Sequence, residues 1–333
     1  MRTWNSLLVA CLLPTLVWAQ TADELRETAR GYQKQGDYSN AILMLNKAMA
    51  QEPKNTDIQK ELGIAYYVAR QYDKALAVIK PVADGPDGDE QTYQIAAILY
   101  KAMDDYKNAE KQYKAGLKKF PESGILYYEY GNLLDSKDPG MGKGITFWEQ
   151  GIEVAPEYPG NYFNAAKYYA GSGNSIWAML YGEIFVNLES FTGRTTEIKN
   201  ILLDEYKKIF AYGIVAIKTK PGFESDWLAA LRKQSAVASN GVNAESLTAI
   251  RTRFILDWYA VSSKKYPFKL FDLQRQLLQD GLFDSYNQWL FGSVDNMMAY
   301  QSWTASHDAD YSSFNQFQRS RLFKIPLGQY YNK

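Results

Sequence analysis

The sequence predicts an all-α protein, in which a right-handed superhelix of helical hairpins is followed by a second all-helical region. Three observations support this fold class. Small residues, tyrosines and prolines recur together about every 34 residues in the N-terminal half. Apolar residues around them follow the helical period, and no run of the alternation that marks a strand is evident.

The composition is that of a globular protein with a balanced charge. Its 333 residues are enough for two ordinary domains, or for one extended array with an appended domain. The 37 basic residues balance 37 acidic ones, so the overall field does not favour nucleic acid or anionic lipid as a partner. Tyrosine is unusually common, with 26 copies against one histidine and one cysteine. Its apolar face and polar tip suit both helix-pair cores and binding surfaces.

The first 19 residues have the features of a signal peptide. Arg2 gives a positive start, residues 7–18 form a short apolar core, and short side chains precede a cleavage point after Ala19. We therefore expect export to the periplasm or the extracellular space. We expect no transmembrane span, because no later segment approaches the ~20 apolar residues that a span needs. A lipid anchor through Cys11 is the alternative, but little apolar sequence precedes that residue.

The recurring small residues occupy two positions in each hairpin. Two helices cross closely only where side chains are short, so each small residue on a first helix should face one on the second. On the first helices they are Ala29, Gly63, Ala97, Gly131 and Ala166, and on the second helices they are Ala41, Ala75, Ala109, Gly144 and Ala178. In four copies a tyrosine three residues further on fills the adjacent space, namely Tyr32, Tyr66, Tyr100 and Tyr169. Pro53, Pro121 and Pro156 then end the second helix.

This pattern resembles the tetratricopeptide repeat (TPR), with about five copies over residues 22–190. The resemblance implies that the first helix of every repeat lines a concave groove in which ligands lie. Carried over by position, the groove residues are Arg26, Arg30, Lys60, Tyr67, Gln94, Lys101, Tyr128, Asn132, Phe163 and Lys167. They form a basic track with interleaved aromatic faces, which suits an extended peptide or an acidic tail. The alternative is a solvated helix face with incidental charges.

The family's carboxylate clamp, which grips a chaperone C-terminus with lysine and asparagine, is not supported. Arg30 and Glu61 stand at the positions where the clamp has asparagine, and Gln91 stands where it has lysine. The resemblance therefore implies a groove without naming its ligand.

Residues 195–325 continue as helices outside the repeat pattern. Leu247, Ile250, Phe254 and Trp258 make an apolar stripe, with Asn243 as its predicted N-cap. We expect this C-terminal helical domain, which can be read as a set of degenerate hairpins, to cap the exposed end of the array. It resembles no family that the motifs identify.

The chain shows no catalytic constellation, so we expect a non-enzymatic protein without metal or cofactor. The only histidine is His307, and the cysteine is lost if cleavage follows Ala19, so neither a nucleophilic triad nor a zinc site can be assembled. The cluster of His307 with Asp308 and Asp310 fits a helix end and the next helix start better than a metal site.

Two functions follow from these observations. The first is an exported scaffold or adaptor that binds a protein or peptide partner in the groove, within a cell-envelope assembly or secretion complex. The alternative is a glycan- or peptidoglycan-binding module that uses exposed aromatic side chains of the C-terminal half, with Trp289, Tyr300 and Trp303 as candidates. No nucleic-acid partner is expected from the balanced charge.

Overall fold

A computed structural model describes residues 20–137, 142–211, 214, 217–219, 221–239 and 241–332. The predicted signal peptide (residues 1–19), with Cys11, lies outside the described residues. The chain divides into two compact units, Met1–Asp105 (unit 1) and Tyr106–Lys333 (unit 2). Over the described ranges the regular elements are helices, as the sequence predicts. None of these helices is both long and apolar enough to cross a membrane.

The described part of unit 1 consists of two helical hairpins and a fifth helix. The helices are α1 (Ala22–Lys34), α2 (Tyr38–Gln51), α3 (Thr56–Val68), α4 (Tyr72–Ala83) and α5 (Glu90–Ala102). Helix α1 packs against α2, and α3 packs against α4. Local signals set the boundaries: Thr21 and Glu24 form a capping box at the start of α1, and Gly36 adopts a left-handed conformation after it.

Close crossing explains the small residues of the repeats. A Cβ atom added to Gly63 of α3 would lie 2.4 Å from Cγ1 of Ile79 on α4. All ten small positions predicted from the sequence are buried. The prediction that they mark helix crossings is confirmed at Gly63, Gly131 and Gly144, where an added Cβ would meet the facing helix.

Unit 2 begins with the remaining repeat helices. They are α6 (Tyr106–Lys119), α7 (Gly124–Lys137), α8 (Lys143–Val154), α9 (Pro159–Ser172) and α10 (Ser175–Leu188). Helix α7 packs against α8, and α9 packs against α10. The first of these crossings is very close, because a Cβ atom on Gly144 would lie 2.8 Å from the carbonyl oxygen of Gly131.

The C-terminal helices of unit 2 differ widely in length. They are α11 (Gly193–Ala211), α12 (Phe223–Arg232), α13 (Ser235–Ala238), α14 (Ala244–Val261), α15 (Lys269–Gln279), α16 (Phe283–Asn287), α17 (Ser293–Asp295), α18 (Met297–Ser306) and α19 (Asp308–Ser320). A π-helical turn, Gln288–Gly292, follows α16. Asn243 caps α14 as predicted, since its Oδ1 accepts a hydrogen bond from the Ser246 amide at 2.9 Å. One hydrophobic core runs from Ile145 to Ile325.

A buried polar network lies inside this core. Glu183 of α10 accepts hydrogen bonds from Arg251 of α14, from Gln274 of α15 (2.7 Å) and from the Tyr286 hydroxyl (2.8 Å). Arg251 also donates to Asn287, and both members of the Arg251–Glu183 ion pair are almost fully buried. The network joins helices that are separated by about a hundred residues in the sequence.

Candidate partner-binding site

Unit 1 carries a ladder of ion pairs across the first helices of its hairpins. Glu61 Oε1 of α3 lies 2.9 Å from Arg26 Nη2 and 2.6 Å from Arg30 Nη2, both on α1. These two arginines were predicted to present positive charge to a partner. The structure instead shows both of them paired with a carboxylate of the neighbouring repeat.

The ladder continues from α3 to α5. Lys60 Nζ lies 2.7 Å from Asp89 Oδ2 and 3.2 Å from Asp57 Oδ1. Burial disfavours the charged form of Lys60, but the hydrogen bonds to both carboxylates outweigh it and raise the pKa of the ammonium group. An acidic ligand would therefore have to displace carboxylates already in place. The assignment of these residues to a partner-binding groove stays a prediction.

An apolar surface lies beside the ladder on α3. Ile64, Tyr67 and Val68 are all exposed, and the Tyr67 ring lies 5.8 Å from that of Tyr72. Of the other two predicted groove residues in unit 1, Gln94 and Lys101 are partly buried. Lys101 forms no ion pair with the part of the chain that the structure describes. Tyr67 and Lys101 thus remain available to a partner.

Unit 2 contains a pocket, here called the amide pocket, that joins residues of α7, α8 and α9. Its volume is about 560 Å³, and its lining includes Asn132, Trp148, Asn164, Lys167 and Tyr168. Two predicted groove residues, Asn132 and Lys167, are therefore brought together here. Asn164 Nδ2 donates a hydrogen bond to Asn132 Oδ1. Within the described ranges, Asn132 Nδ2 and Asn164 Oδ1 have no further partner.

The remaining predicted residues of unit 2 are more enclosed. The Phe163 ring is 8% exposed, and Lys167 Nζ and the Arg194 guanidinium lie 4.9 and 5.0 Å from its centre. Lys167 Nζ also pairs with Glu197 at 2.6 Å. Tyr128 is partly buried, with its ring 5.7 Å from that of Tyr158. Phe163 thus belongs to the hydrophobic core of unit 2, and its contact with a partner stays a prediction.

The C-terminal helices carry a second concavity, here called the C-terminal cleft. It has a volume of about 640 Å³ and is lined by Tyr300, Trp303, Gln288, Glu245 and other residues of α14, α17 and α18. Tyr300 and Trp303 were predicted to be exposed aromatics, and both are partly exposed. The same prediction is wrong for Trp289, because this residue is 7% exposed and its ring stacks on that of Tyr286.

No arrangement of metal-binding residues is found within the described ranges, where His, Cys, Asp and Glu nowhere form a group of three or more able to hold a metal ion. The ring of His307 stacks on Trp303, with centres 4.3 Å apart, rather than meeting Asp308 and Asp310. These two aspartates lie in the first turn of α19. There they favour the helix through its dipole, which was the preferred interpretation of this cluster.

Sequence reasoning missed three contributors to these sites. Asn164 directly follows the predicted residue Phe163, so its neighbouring position was the only signal. Glu61 was considered only because it stands where the carboxylate clamp has asparagine. Its negative charge was a signal that it could pair with Arg26. Trp148 was assigned to the repeat core, where it is 4% exposed, while it also lines the amide pocket.

Comparison with known proteins gives a family match inside unit 1. Residues 32–99 match the family model described as tetratricopeptide repeat. No curated protein matches the sequence.

Several solved structures are similar over about half of the chain. The crystal structure of MamA is 20% identical and covers 49% of this chain and 94% of its own, with a TM-score of 0.40. A thermophilic TPR protein of Thermus thermophilus is 13% identical and covers 55% and 100%, with a TM-score of 0.45. YrrB, described as a TPR protein with an unusual peptide-binding site, is 13% identical and covers 54% and 91%, with a TM-score of 0.37. These TM-scores are low, so nothing is carried over from these proteins to this chain.

Proposed function

We propose that the protein is a non-enzymatic scaffold or adaptor that binds a protein or peptide partner, because residues 32–99 match the tetratricopeptide-repeat family model. We further propose that residues 1–19 direct its export, and that it works in a cell-envelope assembly or secretion complex, in the periplasm or outside the cell. The amide pocket is the observation that supports a peptide partner best.

The chemistry of the amide pocket suits a peptide backbone. A peptide group offers one donor and one acceptor, and the Asn132–Asn164 pair can meet both, through the acceptor Asn164 Oδ1 and the N–H groups of Asn132 Nδ2. A volume of about 560 Å³ has room for one or more side chains of such a segment. The charge of Lys167 is already balanced by Glu197, so an uncharged extended segment fits better than an acidic tail.

The partner can be identified by cross-linking the full-length exported protein in its own envelope fraction and analysing what it retains. The affinity of that partner is then measured for variants. Asn132→Ala with Asn164→Ala should weaken binding about 10- to 30-fold, because each lost hydrogen bond contributes about 1 kcal/mol. Asn200→Ala serves as the matched control, since this exposed asparagine of α11 lies outside the pocket.

The exposed surface of unit 1 is tested in the same assay. Tyr67→Ala with Lys101→Glu should also reduce binding of the partner, while helix content measured by circular dichroism stays unchanged. Wild-type affinity in both double variants would overturn the assignment of the partner to the repeat surfaces.

Export is tested separately. N-terminal sequencing of the protein purified from the envelope or the medium should begin at Gln20. A lipid-modified residue at Cys11, abolished by Cys11→Ser, would instead establish the anchored form.

A second candidate function, binding of a glycan or peptidoglycan fragment, is favoured by the C-terminal cleft. Tyr300 and Trp303 offer ring faces or edges to a sugar, while Glu245 and Gln288 offer polar groups to its hydroxyls. Titration with peptidoglycan fragments should change the tryptophan fluorescence of the wild type and leave that of Trp303→Ala unchanged. A flat titration of the folded wild type contradicts this function and leaves the scaffold proposal untouched.

A further inference from the structure

Residues 321–332 follow the last helix without forming one themselves and lie against unit 2. Helix α19 ends at Ser320, and Arg321 has an extended backbone conformation (φ −80°, ψ 148°). From this point burial alternates: Phe323 and Ile325 are buried, whereas Leu322 and Lys324 are exposed. Such alternation is typical of an extended peptide bound along one side. The protein therefore binds an extended segment of its own chain.

The segment has an inner and an outer part. Phe323 and Ile325 of the inner part, residues 321–325, belong to the hydrophobic core of unit 2, and Arg321 Nη2 donates a hydrogen bond to Asn187 Oδ1 at 2.5 Å. The outer part, residues 326–332, contains no fully buried residue. Gly328, in a left-handed conformation (φ 85°), lies in a turn within the outer part. The inner part is thus buried more deeply than the outer part.

Tyr331 is one of two tyrosines of the outer segment, the other being Tyr330, that pack against the hydrophobic core of unit 2. Its ring stacks on Phe223 at 4.7 Å between centres and meets the edges of Tyr266 and Phe268. Its hydroxyl donates to the carbonyl oxygen of Pro267 at 2.7 Å. This contact combines an aromatic pocket with a hydrogen bond, which is the environment that suits a tyrosine side chain specifically.

Two side-chain amides fix the direction of the outer segment. Gln329 Oε1 accepts a hydrogen bond from the Lys269 amide at 2.7 Å, and so pairs one of the free N–H groups at the start of α15. Asn332 Nδ2 donates to the Tyr169 hydroxyl at 2.9 Å and to Glu149. Glu149 and Tyr169 belong to the repeat helices α8 and α9. The outer segment therefore reaches from the C-terminal helices to the repeats of unit 2.

We propose that the surface beneath residues 326–332, formed by Glu149, Tyr169, Phe223, Pro267 and Lys269, is an exchangeable peptide-binding site that the chain fills with its own segment. The partner it fits is an extended peptide with a tyrosine followed by an asparagine, preceded by an amide side chain two positions before the tyrosine. The peptide-binding site extends the proposed function. It rests on that function only in assuming that an external peptide partner exists.

The physical basis of exchange is effective concentration. A covalently linked segment competes with any external peptide at a local concentration of about 1 mM, so the free protein should bind such a peptide weakly. Removing two anchors of the linked segment, Tyr331 and Asn332, without touching the site should weaken this competition.

The test uses the full chain and a labelled synthetic peptide with the sequence of residues 326–333, followed by fluorescence anisotropy. Tyr331→Ala with Asn332→Ala should bind the peptide at least 10-fold more tightly than the wild type. Lys324→Ala with Leu327→Ala, which alters exposed side chains of the same segment, should behave as the wild type. A peptide in which the tyrosine and asparagine that correspond to Tyr331 and Asn332 are replaced by alanine should not bind.

Hydrogen exchange of the unmodified protein provides the second measurement, which does not depend on a variant that folds. The Lys269 amide, bonded to Gln329, should exchange by local opening and be far less protected than amides in the middle of α15, such as that of Leu277. Equal protection of both amides, or a folded Tyr331→Ala/Asn332→Ala variant that does not bind the peptide, would overturn the proposal. Neither result depends on whether an external partner is found.

Discussion

The repeat helices and the C-terminal helices solve the same packing problem in different ways. In the hairpins of unit 1, small residues at a fixed spacing set each crossing, and the ion pairs are partly exposed, as in the ladder of Arg26, Glu61 and Arg30. In unit 2, where the C-terminal helices have no common period, Arg251 of α14 pairs inside the core with Glu183 of the last repeat helix, α10. In a periodic array, the repeated small residues are enough to define how neighbouring helices pack. Irregular helices lack that repeat, and directional polar contacts help to define their arrangement.

The largest effect is expected where the C-terminal helices depend on the buried ion pair. Arg251→Met should lower the free energy of unfolding by about 3 to 5 kcal/mol, because it leaves the Glu183 carboxylate buried without its countercharge. Urea unfolding followed by tryptophan fluorescence measures this change.

The matched control removes both charges. Arg251→Met with Glu183→Gln should recover most of the lost stability, since no unpaired buried charge remains. A single variant that costs less than about 1 kcal/mol would contradict the role given to this network.

A somewhat smaller effect is expected where the small residues of the repeats allow two helices to cross closely. Gly144→Ala should destabilise the protein by about 3 kcal/mol, since its Cβ would meet the Gly131 carbonyl oxygen and backbone atoms cannot easily move. Gly171→Ala is the control: nothing lies within 4 Å of its added Cβ, and alanine favours the helix. Thermal unfolding of both variants should separate them, and equal melting temperatures would break the comparison.

The pH dependence of stability reports on a second buried charge of the C-terminal helices. Lys199 Nζ donates to the Trp289 carbonyl oxygen at 2.6 Å, and burial lowers the pKa of this amine to about 7. Between this value and the ordinary lysine pKa, the unfolded chain binds more protons than the folded one, so stability rises with pH. From pH 7 to 9 the gain should be about 2 kcal/mol.

The control for this dependence is Lys199→Met, which cannot titrate. Its free energy of unfolding should change less than that of the wild type between pH 7 and 9. Ordinary tyrosines have pKa values above this range, so they contribute little to the change. Parallel pH profiles for the two proteins would mean that Lys199 is charged in the folded state at pH 7.

The smallest effect is expected in the ladder of unit 1. Arg26→Ala should cost about 1 kcal/mol or less, because Arg30 still pairs with Glu61 and the partly exposed pair is screened by water and salt. Denaturant unfolding at low and high salt measures it. A cost as large as that of Arg251→Met would remove the distinction between surface and interior charge.

The sequence predicts the repeats well because their rules are local and periodic. The small residues Gly63 and Ala75, like the cap at Asn243, could be recognised from their spacing alone. The pairing of Arg26 with Glu61 could not, since it depends on side-chain directions on helices 35 residues apart. The contact of Asn332 with Glu149 spans 183 residues and has no local signature.

The error at Trp289 has a specific cause. This residue lies in the π-helical turn Gln288–Gly292, where each turn contains an extra residue. There its ring packs against those of Tyr286 and Phe314, a burial that the residue type alone does not indicate. The hydrogen bond from Lys199 to the backbone carbonyl oxygen of Trp289 could not be predicted either, because a sequence pattern does not show which backbone groups are left unpaired in a turn.

The stacking of His307 on Trp303 offers a spectroscopic signal within the molecule. The sequence contains a single histidine, so its ring protons need no assignment in a proton NMR spectrum. The nearly parallel indole, with an interplanar angle of 6°, shifts those resonances by its ring current. Since Trp303 lines the C-terminal cleft, the position of two sharp lines would follow the occupancy of that cleft in an unlabelled sample.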